Sequence, residues 1–102
     1  MKHELKIWPQ YYCRVANGSK TFEVRINDRG FQPGDTVVLH EFDPKLEFTE
    51  RDEHPLGYDE RTTIGNYTKS KPLEFKIGYV MPLENNKVVF SLVEPSPGYR
   101  MG

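Results

Sequence analysis

The run Gly18-Ser19-Lys20-Thr21-Phe22-Glu23-Val24-Arg25 places one carboxylate and two cations in a single short stretch. A carboxylate beside an arginine stays ionised. It can accept hydrogen bonds from the amino group of a base, or hold a water. A nearby lysine supplies a mobile cation for a phosphate or a carbonyl oxygen. Ser19 and Thr21 add hydroxyls on either side of Lys20. The plain alternative is a surface ion pair, which is worth little.

The geometry of these groups depends on the local element. Apolar Phe22, Val24 and Ile26 alternate with polar Thr21, Glu23, Arg25 and Asn27. Side chains two apart on a strand share a face. A strand from about Thr21 to Asn27 therefore sets Glu23 beside Arg25, and the expectation is that Phe22, Val24 and Ile26 are buried behind them. Lys20 enters at the mouth of that face. Just upstream, Pro9 suits the first turn of a helix. Tyr12, Val15 and Ala16 share a helical face, and Gly18 is a natural stop because glycine accepts the left-handed conformation. The helix is short, so packing must hold it.

The remaining elements read as strands. His3, Leu5 and Ile7 alternate with Glu4 and Lys6. Asn27-Asp28-Arg29-Gly30 and Pro33-Gly34-Asp35 are turn chemistry. A third strand from Thr36 to Phe42 sets Val37, Leu39 and Glu41 on one face and Val38, His40 and Phe42 on the other. Leu73, Phe75, Ile77, Tyr79 and Met81 alternate, Asn85-Asn86 turns, and Val88, Phe90 and Leu92 alternate again. Five or six short strands and one N-terminal helix make a mainly β, α+β domain over residues 1–95: a small barrel plugged by the helix. Residues 45–64 carry dense mixed charge without sustained alternation and are expected to be a mobile insertion in a hairpin. Glu47-Phe48-Thr49 extends that hairpin, and residues 96–102 form a mobile tail.

Bulk properties bound the function. The chain has 102 residues and a net charge of −1. One modest core is expected. Near-neutrality argues against non-specific coating of nucleic acid, but allows a small basic patch around one nucleotide. The single cysteine, Cys13, cannot form an intrachain disulfide, and on the helix it is expected to be buried or half-buried. No apolar run approaches membrane-spanning length and Met1-Lys2-His3-Glu4 does not begin a signal peptide, so a cytoplasmic location without membrane association is expected. His3, His40 and His54 have no metal-ligand spacing. No phosphate loop, dinucleotide fingerprint or nucleophile elbow occurs, and no cofactor is expected.

Other side chains extend the candidate ligand-binding set of Lys20, Glu23 and Arg25. Lys6 points away from the His3–Leu5–Ile7 face and can reach the pocket of Glu23. Trp8, just before the helix, can stack a base, and Tyr11 shares that capacity. Tyr12 belongs to the core. Arg29 has the reach to serve a phosphate. His3 either lines the cleft or serves as a buried structural histidine. Asp35 caps its own turn.

Gly18-x-Lys20-x-x-Glu23-x-Arg25 resembles the motif of the ASCH domain, a branch of the PUA-like β-barrel superfamily. The likeness extends through His3-Glu4-Leu5-Lys6-Ile7-Trp8-Pro9, Asn27-Asp28-Arg29, Gly34-Asp35 and Glu41-Phe42-Asp43-Pro44. It resumes more weakly from Gly65-Asn66-Tyr67-Thr68 to Pro95. The chain looks like the small stand-alone ASCH-type proteins of bacteria and phages, in which the hairpin at 45–64 is shorter. The resemblance implies a PUA-like barrel with a cleft at Lys20, Glu23 and Arg25 between helix and barrel. It also implies binding of RNA, a nucleotide or a modified base there. An alternative implied by some family members is an amidohydrolase that removes an acyl group from cytidine. Those enzymes use the motif lysine, a threonine three residues on and a distant glutamate. Lys20 matches, but Glu23 stands where the threonine would be, and Glu41 and Glu74 are the available distant glutamates. Lys20 and Glu23 are then the candidate catalytic residues. A third reading makes residues 45–64 a protein-interaction surface.

Overall fold

The computed structural model describes residues 1–47 and 64–95. The segment expected to be a mobile insertion lies mostly outside them, as does the tail from 96. The described chain runs β1 (Lys2–Ile7), α1 (Pro9–Ala16), β2 (Phe22–Ile26), β3 (Thr36–Glu47), β4 (Ile64–Tyr67), β5 (Leu73–Leu83) and β6 (Lys87–Val93). The protein is mainly β, with six strands and one short helix, and β3 continues to Glu47, beyond the strand end expected at Phe42.

The strands form one sheet in the order β1-β3-β5-β6-β2, with β4 paired to the far part of β3. β1 lies parallel to β3, with Leu5 opposite Leu39. A parallel pair needs a crossover, and α1 with β2 supplies it. All other pairings are antiparallel. β3 is central, and consecutive residues Val37, Val38, Leu39 and His40 are all buried. Both of its faces are therefore covered, which explains its nearly unbroken apolar run. The core gathers Leu5, Ile7, Val15, Phe31, Val37, Leu39, Ile77, Val88 and Phe90, with Tyr12 packed partly against it.

The ends of the sheet, β1 and β2, are not joined by a ladder among the described residues, so the barrel is incomplete. Side chains connect them instead. Arg25 Nη2 donates to the Lys6 carbonyl at 2.7 Å, and Arg29 Nη1 donates to the Glu4 carbonyl at 3.2 Å.

Three expectations are corrected. Tyr79 and Met81 do not continue the inward phase of Ile77 and are exposed. Ile77 pairs with Leu92 but Val80 pairs with Phe90, so Gly78 and Tyr79 together face Ser91 in a β-bulge that flips the phase. Gly78 has no room for a side chain there: an added Cβ would stand 2.6 Å from Val93 Cγ2. Cys13 is exposed, because α1 buries only the narrow stripe around Val15. Phe22, Val24 and Ile26 are exposed at 46%, 46% and 56%, whereas Glu23 is 4% exposed. The β2–β6 register pairs Glu23 with Phe90 and Arg25 with Val88, both core residues, and so turns the charged face inward. By contrast, the turn at Asn85-Asn86 forms where expected, with φ of 61° and 56°. Both residues sit in the left-handed region within the three-residue connection Glu84-Asn85-Asn86 between paired Leu83 and Lys87, and the Lys87 N–H bonds back to the Glu84 carbonyl. No described helix is long and apolar enough to cross a membrane.

A buried polar knot fixes the start of the sheet. His3 Nε2 and Asp35 Oδ2 are 2.9 Å apart, and both residues are buried. Asp35 also accepts from the Gln32 N–H and the terminal ammonium, so it caps its turn and anchors β1. The His3 hydrogen bond, assisted by the ammonium and the Gln32 N–H, holds the Asp35 carboxyl below the usual carboxylate range. A depressed folded-state value adds stability that is present above the unfolded value and is lost as pH falls through the folded one. Asp35→Asn is therefore expected to cost about 2–3 kcal/mol at neutral pH, by leaving His3 with a weakened partner. The gap from wild type should narrow as pH falls below the ordinary carboxylate range. Urea unfolding across pH checks both statements.

Candidate functional site

The helix stop delivers the first residue of the site. Gly18 turns at φ +85°, a conformation costly for residues with a Cβ. Its N–H bonds to the Val15 carbonyl, and the Lys20 N–H returns to the Arg14 carbonyl at 3.0 Å. That fold-back aims the Lys20 side chain along β2. Lys20 Nζ donates to Glu23 Oε2 and to the Phe22 carbonyl, each at 2.5 Å. From the other side, Arg25 Nε donates to Glu23 Oε1 at 3.0 Å, and Nη2 stands 2.8 Å from the same oxygen. Both oxygens of a buried carboxylate are thus engaged by cations whose side chains are 18% and 24% exposed. Burial of an ionised carboxylate requires such partners.

This cluster floors a cavity of about 470 Å³ between the helix start, the end of β1 and the edge strand β2. Its walls are Lys6, Ile7, Trp8, Tyr11, Lys20, Phe22, Glu23, Val24 and Arg25. Lys20, Glu23 and Arg25 converge there, joined by Lys6 and Trp8. Trp8 is half-exposed in extended backbone at the helix N-cap, and its carbonyl accepts the Tyr11 and Tyr12 N–H groups. Three aromatic rings, those of Trp8, Tyr11 and Phe22, are each about half-exposed around the opening. Lys20 Nζ lies 4.9 Å from the Phe22 ring centroid and 5.8 Å from that of Tyr11, so the rings also steady the cation. Lys6 Nζ sits 4.4 Å over the Phe42 ring, which leans it towards β4. Lys6, Lys20 and Arg25 against Glu23 make three cations to one carboxylate. The cavity is electropositive.

His3 and Arg29 are not among the cavity walls. His3 faces the opposite side of β1, where Asp35 and the Phe31 ring enclose it, the ring centroid at 4.7 Å. Arg29 is spent on the Glu4 carbonyl and on Asp28. Glu41 accepts from the hydroxyls of Thr68 and Ser70, at 2.7 and 2.6 Å, and Glu74 is exposed on β5; neither lines the cavity. Sequence reasoning missed Phe22 and Val24 as wall residues, because their apolar character pointed to the core. The signal that could have located them was Lys20 and Arg25 flanking Glu23, a charge set too costly to leave inside without a cavity beside it. Among the described residues no group of three or more His, Cys, Asp or Glu side chains could hold a metal.

A family model described as a domain of unknown function, DUF3850, matches residues 2–82. The chain belongs to that family. A 40-residue segment is 42% identical to an uncharacterised 12.9 kDa protein from the GpA 3′ region of Escherichia phage P2. The match spans 39% of this chain and 37% of the phage protein.

Glu23→Gln retains the shape but leaves two cations facing a neutral amide. It is expected to cost about 2–3 kcal/mol, below the range for a fully buried pair because Lys20 and Arg25 reach solvent. Removing Lys20 at the same time, as Lys20→Met, should recover part of that loss, since the two residues interact directly. Urea midpoints of the wild type, both single variants and the double variant measure the coupling.

Proposed function

We propose that this cavity binds a nucleobase carrying an anionic group, as a nucleotide unit of single-stranded RNA or a modified base. The observation that carries the reading is the combination at one opening: a carboxylate locked between Lys20 and Arg25 on the floor, and half-exposed aromatic rings at the rim. Rings supply stacking to any base. The excess of cations supplies attraction for a phosphate. The cavity volume falls within the range of small-ligand pockets. The resemblance of the Lys20–Glu23–Arg25 motif to the ASCH domain supports the same class of ligand.

Binding is favoured over hydrolysis of an acylated cytidine. Glu23 occupies the position of the threonine that the hydrolytic relatives use, and both of its oxygens are engaged by cations. A base toward water needs an accessible, basic oxygen.

Trp8 is the sole tryptophan and lines the cavity, so ligand entry is read directly by its fluorescence. Saturable quenching is expected with short single-stranded RNA and with nucleoside monophosphates. Lys20→Ala or Arg25→Ala should weaken binding by about tenfold or more, in keeping with a charge-assisted contact. The dependence on salt should be shallow, because few phosphates can be neutralised. No change at Trp8 with any nucleotide ligand, or rapid deacylation of acylated cytidine abolished by Lys20→Ala, would sink this reading.

A further inference from the structure

The face of the sheet opposite the core is apolar across three strands. Register places Val24 opposite Val89 and Val89 opposite Met81. One row along, Lys87 lies between Ile26 and Leu83. In the other direction Ser91 lies between Phe22 and the bulge residue Tyr79, whose N–H it accepts. Exposure is substantial along β2 and β5, 46% at Phe22, 56% at Ile26, 66% at Tyr79 and 44% at Met81, while Val89 and Ser91 between them are part-buried. Lys87 is the sole charge in these three rows. With aromatic side chains presenting roughly 150–250 Å² when fully open, the uncovered apolar area is on the order of 600 Å². That is at the upper end of the roughly 300–600 Å² that the largest apolar patch of a monomer spans, and such patches are often functional.

We propose that this face is a two-fold interface with a second copy of the chain. Three observations select that occupant. The uncovered area approaches the roughly 800 Å² per partner that a standard stable interface buries. The face is a regular sheet surface nearly without charge, and two such surfaces pack aligned, side chain between side chain. An isologous contact needs a self-complementary surface. Packing the two sheets with their strands antiparallel meets that need, because it sends the Lys87 of each copy to opposite ends of the contact. A nucleic acid would find one cation here, and a charged protein partner would find no counter-charge. The net charge of −1 also leaves little repulsion between copies. The interface accounts for the inverted burial of β2. Ile26 and the outer side of Val24 are covered by the partner, while Glu23 and Arg25 face the cavity and Phe22 stands at its rim.

The full chain, kept reduced so that exposed Cys13 cannot cross-link copies, is examined by sedimentation equilibrium from micromolar to sub-millimolar concentration. The expected mass is twice the 11.9 kDa of one chain, with dissociation on dilution. Val89→Lys should yield a monomer with an unchanged far-ultraviolet circular dichroism spectrum. Should that variant fail to fold, Tyr79→Ser at the most exposed position of the face takes its place. Methyl resonances of Val24, Val89 and Met81 in the wild type should shift with concentration while those of Val37 and Leu39 stay fixed. A wild-type chain that is monomeric at the highest concentration overturns the proposal. So does a dimer that survives Val89→Lys or Tyr79→Ser in a folded protein, or concentration-dependent shifts located elsewhere.

Discussion

A carboxylate that is almost wholly withdrawn from water must have its charge answered within a few ångströms, or it will not remain there. Glu23 meets that constraint through Lys20 and Arg25, and much of the surrounding architecture follows from the need to bring those two cations in. Lys20 arrives because the helix stops at Gly18 and its own N–H turns back to Arg14. Arg25 arrives because it is two residues along the same strand face. Arg25 then spends its remaining reach on the Lys6 carbonyl. The same guanidinium therefore neutralises the buried charge and ties one end of the sheet to the other.

That double duty explains why the cavity exists. A ladder between β1 and β2 would close the sheet and fill the space with backbone hydrogen bonds. Arginine side chains are longer than a ladder bond and span the gap at Lys6 and at Glu4. The opening that remains is floored by the ion cluster and rimmed by Trp8, Tyr11 and Phe22. Stability and site thus draw on the same residues. The knot of His3 and Asp35 works differently: it lies on the other face of β1 and fixes the parallel pairing with β3, away from the cavity.

The inverted strand leaves apolar side chains partly in water. Turning Glu23 and Arg25 inward leaves Phe22, Val24 and Ile26 about half-exposed, and each forfeits part of the about 1.5–3 kcal/mol that full burial of such a side chain contributes. β6 tolerates either arrangement, since Val88 and Phe90 face in while Val89 and Val93 face out. The bulge at Gly78-Tyr79 then puts Tyr79 and Met81 on the same outer face. Three strands converge on one apolar surface through register and a single extra residue.

The sequence by itself determined the local elements. The alternation in residues 2–7 and 87–93, the apolar run at 37–39, the glycine stop at Gly18 and the hairpin at Asn85-Asn86 are short-range signals, set by side-chain period and by backbone sterics. It also determined that Glu23 and Arg25 stand together, because residues two apart on a strand always share a face; Lys20 joins them through the turn after Gly18, where its N–H bonds back to the Arg14 carbonyl. Which face of β2 is inward was decided only by tertiary structure. Strand alternation is symmetric, so the pattern says that two faces differ and not which one meets the core. Hydrophobicity alone pointed Phe22, Val24 and Ile26 inward. The register with β6 and the long-range bond from Arg25 to Lys6 reversed that. Those contacts join residues far apart in the chain, and no local pattern encodes them.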